Sequence, residues 1–96
     1  MVSQLINDNG NAAANQFIIK TEKAVYFQSY NSVVAKMDGI NIILSQNWNF
    51  SRTTSKHLYM FFRQQGFYNL SCAKDVRDAI KKGWVILENV ASLNIN

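Results

Sequence analysis

The chain has 96 residues, of which 48% are apolar, with 6 Phe, 4 Tyr and 2 Trp, one cysteine and a formal net charge of +4. That length holds a single domain burying roughly 60 to 65% of the surface its unfolded form exposes, and the apolar content excludes disorder as the default state. A lone cysteine excludes an internal disulfide and fits a reducing cytoplasm, while no stretch has the basic start of a secretory signal or the ~20 apolar residues of a spanning helix.

Charge is unevenly placed. Residues 50–82 carry seven basic residues and two acids, a net of +5, and the rest of the chain nets −1. The helical half is thus the basic half. It permits contact with an acidic partner or a phosphate backbone and argues against mimicry of DNA by an acidic surface.

In chain order, residues 1–14 are rich in Asn, Ala and Gly and lack sustained periodicity, which predicts a flexible N-terminal arm with at most one helical turn near Gln4. A single α+β domain then occupies residues 15–96. From Gln16 to Tyr30 apolar and polar residues alternate with period two, first around Phe17 and Ile19 and then around Val25 and Phe27, which predicts two strands. A third strand over Val33–Met37 and a fourth over Ile40–Leu44 flank Asp38-Gly39, the dipeptide of a type I′ hairpin turn. The polar stretch 45–50 reads as a loop pinned by Trp48 and Phe50.

The period then changes. Leu58, Phe61 and Phe62 fall at i, i+3 and i+4, predicting an amphipathic helix that begins between Ser51 and Thr54 and stops at Gly66. A second helix, capped by Ser71 and ended by Gly83, buries Ala73, Val76, Ala79 and Ile80 and turns Lys74, Arg77, Asp78, Lys81 and Lys82 outward. A last strand, Trp84 to Leu87 with Val90, returns to the sheet. The predicted architecture is ββββααβ, a mostly antiparallel sheet with two helices on one face.

The chemical inventory disfavours catalysis. One histidine and one cysteine, His57 and Cys72, cannot supply a zinc framework, and no glycine-rich phosphate loop is present. No catalytic residue, metal or cofactor is therefore expected. A nucleophilic Cys72–His57 pair requires the two side chains to meet, whereas the plain reading is a small apolar cysteine and a packed surface imidazole. Asp75 and Asp78 read as members of a solvated helix face, with Asp78 and Lys82 in the favourable order for an ion pair.

Two candidate contact surfaces remain. Residues 51–57 combine four hydroxyls, two cations and an imidazole at a helix N-terminus. Arg52, Thr53, Thr54, Lys56 and His57 there, with Lys74, Arg77, Lys81 and Lys82 on the second helix, form a candidate site for an anion, a nucleic acid or a protein partner. The competing reading is that Ser51, Thr53 or Thr54 merely caps the helix. The second surface is the open sheet face, where alternation with Phe17, Ile19 and Val33 turned inward leaves Lys20, Tyr26, Gln28, Tyr30 and Lys36 to stack bases, dock a protein, pair with a second copy or simply face water.

The stretches FQSYNSVVA at residues 27–35 and WNFSRTTSKH at residues 48–57 resemble a family of small proteins of unknown function from phages of Gram-positive bacteria, which pair an "FQSY.S.IA" strand segment with a "W.YSRTT.K" helix start. The resemblance covers roughly residues 16–66, and Phe50 stands where that family often has Tyr. It implies a non-enzymatic phage accessory protein working in the host cytoplasm. Such a protein binds and inhibits or redirects a host protein or protein–nucleic acid complex, as an anti-CRISPR-like counter-defence inhibitor does. The alternative is a small basic regulator that binds DNA or RNA directly.

Overall fold

The computed structural model describes residues 1–39 and 41–89. Five strands run in sequence, β1 (Val2–Ile6), β2 (Ala12–Lys20), β3 (Val25–Ser29), β4 (Ser32–Asp38) and β5 (Asn41–Ser45). They are followed by α1 (Arg52–Gln64), a short 3-10 turn (Tyr68–Leu70), α2 (Ala73–Lys81) and a final strand, β6 (Val85–Glu88). Each of the first four strands pairs antiparallel with the next, and β6 adds in parallel to β5, so the spatial order of the six strands is their chain order. The fold is α+β with a mostly antiparallel sheet, as the periodicity predicts.

The N-terminal segment departs from its prediction. Residues read as an arm hold β1 and the start of β2, and Gln4, where a helical turn was expected, pairs with Phe17. Its Asn and Gly residues build a turn, because the Asn7 side-chain oxygen accepts from the Asn9 and Asn11 backbone amides, each at 3.0 Å. Leu5 is fully buried and fastens the hairpin to the core. From α1, Arg63 pairs with Asp8 at 3.2 Å and Gln64 Nε2 donates to the Ile6 carbonyl at 2.6 Å.

The β4–β5 hairpin forms as expected, but Asp38 is still paired, with Asn41, and Gly39 follows it with a positive φ of +61°. Ile40, assigned to a strand from the sequence, and Val90, assigned to the last one, lie outside the described residues. Trp84 precedes β6 and is 60% exposed.

Both helices pack on one face of the sheet. Phe27 stacks on Phe61 with ring centroids 5.5 Å apart, and Phe61 meets Phe62 at 5.9 Å. Around them Leu5, Leu44, Leu58 and Val76 are buried from the sheet and from both helices. The expected core faces of α1 and α2 therefore face the core. Capping differs in one place, since Cys72 occupies the N-cap position of α2 and the Ser71 hydroxyl donates instead to the Tyr68 carbonyl at 2.6 Å.

Strand phase is partly reversed relative to the sequence reading. Asn15 takes a left-handed φ of +62°, after which Gln16 and Ile18, not Phe17 and Ile19, turn toward the helices. A bulge beside Phe27 and Gln28 places Val34 and Ala35 in the core and sends Val33 to the other face. Lys20 consequently leaves the open face, because it pairs with Val25, whose side chain packs on the helix side. Tyr26, Gln28 and Lys36 remain on the open face.

Candidate binding site at the start of the first helix

The two sequence stretches singled out above meet in space. β3 ends at Ser29 and β4 begins at its partner Ser32, so Tyr30 and Asn31 form a two-residue turn. Tyr30 adopts φ +55°, a left-handed conformation that an aromatic side chain rarely takes and that costs about 1 to 2 kcal/mol. Its backbone is held from both sides: the amide donates to the Asn15 carbonyl at 2.7 Å, and Gln28 Nε2 donates to the Tyr30 carbonyl at 2.7 Å. Tyr30 as a whole is left 52% exposed.

The loop from Gln46 to Ser51 arrives beside this turn. Trp48 is 4% exposed and anchors it, with the Arg77 guanidinium of α2 6.0 Å from the indole. The Ser45 hydroxyl accepts the Asn47 amide at 3.1 Å and the Ser45 carbonyl accepts the Trp48 amide at 3.1 Å, which winds the loop tightly. Phe50 points outward and is 86% exposed, so of the two aromatics expected to pin the loop only Trp48 does.

Ser51 is the N-cap of α1, with extended backbone and a side chain that accepts the Thr54 amide at 3.1 Å. Its hydroxyl donates to Thr54 Oγ1 at 3.1 Å, and Thr54 Oγ1 lies 3.0 Å from Ser29 Oγ inside the protein. A hydroxyl chain thus ties the helix start to the β3–β4 turn. Between them lies a cavity of about 360 Å³, bordered by Ser32, Val33 and Ser45 as well as by Tyr30, Asn47 and Phe50. Its wall offers hydroxyls and an amide with no charged side chain, and its mouth has two exposed aromatics. That composition suits a partner's apolar or aromatic group bearing a polar end.

The predicted site residues separate into three groups. Thr54 is buried and its hydroxyl is committed to Ser29 and Ser51, so it acts as an internal strut. His57 Nδ1 donates to the Thr53 carbonyl at 2.8 Å, one turn back on its own helix, and no hydrogen bond joins it to the exposed Cys72. Arg52, Thr53, Lys56, Lys74, Arg77, Lys81 and Lys82 are exposed. The expected Asp78–Lys82 pair does not form; the Lys82 ammonium sits 4.7 Å from the Trp84 ring centroid instead, and the one ion pair among the described residues is Arg63–Asp8. Sequence reasoning missed Ser29, Ser45, Asn47 and Phe50 as site residues, although Ser29 and Phe50 lie within the two motif stretches.

Other ionisable groups near the helices add one perturbed value. Burial pushes the Tyr59 phenol above its usual pKa of 10.0, and the hydrogen bond with Ser55 and then the positive charge of Arg77 pull partly the other way. No described helix is long and apolar enough to cross a membrane.

The chain belongs to a protein family of unknown function, DUF8033, whose model matches residues 1–89. No curated protein and no solved structure matches it.

Proposed function

We propose that this chain is a non-enzymatic phage accessory protein that grips a host protein, or a host protein–nucleic acid complex, at the mouth formed by Tyr30 and Phe50. The observation that supports this reading is the placement of those two rings. Phe50 is 86% exposed and Tyr30 52% exposed beside a cavity of about 360 Å³. Aromatic side chains, Tyr and Phe among them, are enriched at protein interfaces. Holding Tyr30 in a left-handed turn by one backbone bond to Asn15 and one bond from the Gln28 side chain is a cost the fold bears to aim that ring.

The phage origin and the counter-defence role rest on the motif resemblance, and binding without turnover agrees with a His57 ring occupied by its own helix. The test is capture of a host protein on immobilised protein from bacterial lysate, with Phe50→Ala and Tyr30→Gly as paired controls, followed by an immunity assay in that host. Loss of one captured protein in both variants, with loss of protection of the phage, is the expected result. Capture that ignores both substitutions sinks the reading.

A direct nucleic-acid binder is the second reading, favoured by the exposure of Arg52, Lys56, Lys74, Arg77, Lys81 and Lys82 on the two helices. Its signature is an affinity for DNA or RNA that falls steeply with salt as counterions are released. No shift of either nucleic acid at low salt removes it.

A further inference from the structure

We propose that the sheet face turned away from the helices is a self-association surface, on which a second copy of this chain docks. One row of side chains crosses all six strands there: Val2, Ile19, Tyr26, Lys36, Ile43 and Ile86 are in register from β1 to β6. A sheet surface meant for water alternates to polar residues, yet five of these six are aliphatic or aromatic. Tyr26 is buried among its neighbours, Ile19 and Ile43 are half-buried, and the flanks are open, with Val2 63% and Ile86 47% exposed. No helix among the described residues joins this cluster.

Area and charge both select the occupant. Six strands spaced ~4.8 Å apart, each about five residues or ~17 Å long, give a face of about 500 Å² per copy. Two such faces reach the ~1,000 Å² at which specific interfaces begin. The face carries one central cation, Lys36, whose ammonium lies 5.9 Å from the Tyr26 ring centroid and meets no carboxylate among the described residues. Strand alternation puts two acids on the same face, Asp38 two residues further along β4 and Glu88 on β6 beside Ser45. A copy related by a two-fold axis presents its own acids to Lys36 and its own Lys36 to these acids. A uniformly acidic or basic partner would instead meet a like charge.

Sedimentation equilibrium from micromolar to millimolar concentration tests this. The expected result is a mass that rises from the 11.0 kDa of one chain to twice that value. Val2→Glu and Ile86→Glu, at exposed positions that leave folding intact by circular dichroism, each raise the dimer Kd at least ~10-fold. Lys36→Glu weakens the dimer as well, and combining it with Asp38→Lys and Glu88→Lys restores the affinity. A monomer throughout, a dimer indifferent to Ile86→Glu, or a triple variant no tighter than Lys36→Glu overturns the proposal.

Discussion

The hydroxyls of Ser29 and Thr54 lie 3.0 Å apart in the interior, joining the end of β3 to the first turn of α1 across 25 residues of sequence. This bond positions the candidate mouth, because Tyr30 follows Ser29 directly and Phe50 and Ser51 precede the helix turn that holds Thr54. Thr54→Val leaves the Ser29 hydroxyl buried without its partner and costs about 1 to 3 kcal/mol in denaturant unfolding. Adding Ser29→Ala to it costs less than the sum of the single changes, since the orphaned group is then gone. Strict additivity would show that the two hydroxyls do not act as a unit.

Tyr30 separates stability from binding. Glycine takes φ +55° without steric penalty, so Tyr30→Gly holds stability or raises it by up to about 1 kcal/mol. The same change removes an exposed ring from the mouth and weakens partner capture at least ~10-fold. Phe50→Ala, at an 86% exposed position, changes stability by no more than about 0.5 kcal/mol and weakens capture similarly. Urea titrations beside binding isotherms check both, and a Tyr30→Gly protein that unfolds early would mean that the ring serves the fold.

The middle of the fold was legible because its periods are clean. Val25 and Phe27 alternate with Tyr26 and Gln28, while Leu58, Phe61 and Phe62 repeat at helical spacing, and these elements formed where expected. β1 was not legible, since an edge strand with only Leu5 fully buried has no alternation to display. The phase of β2 was ambiguous because Phe17, Ile18 and Ile19 are consecutive and apolar. The choice falls to the left-handed kink at Asn15, which hydropathy does not encode. Adjacent Val33 and Val34 hid the bulge for the same reason. At the candidate site, the hydroxyl-rich helix start lies beside the cavity, but which of Trp48 and Phe50 packs and which projects is not readable from two aromatics in one polar loop.

Tyr59 predicts a response to alkali. Its folded pKa lies above the ordinary tyrosine value of 10.0 because burial disfavours the phenolate. A raised acid pKa means that the folded state holds its proton more tightly than the unfolded state, so this contribution is complete below the unfolded value and is lost as pH rises through the folded one. From about pH 8 to about pH 11, the wild-type unfolding midpoint falls more than that of Tyr59→Phe, which has no proton to lose. Parallel curves for the two proteins would rule out the coupling.

Gln16 offers the clearest route to a more stable protein. It pairs with Ser29 in the β2–β3 ladder and is fully buried, yet neither its Nε2 nor its Oε1 has a hydrogen-bond partner in the protein. Desolvating those two groups without compensation costs about 1 to 3 kcal/mol, and methionine has nearly the same length and shape without the amide. Gln16→Met is expected to raise unfolding free energy by about 1 kcal/mol with an unchanged denaturant slope. Gln16→Glu places an unpaired charge in the same space and lowers stability by several kcal/mol at neutral pH, with recovery as the carboxyl protonates in acid. If Gln16→Met destabilises instead, the amide is satisfied by a group such as buried water, and the strand beside Ser29 depends on it.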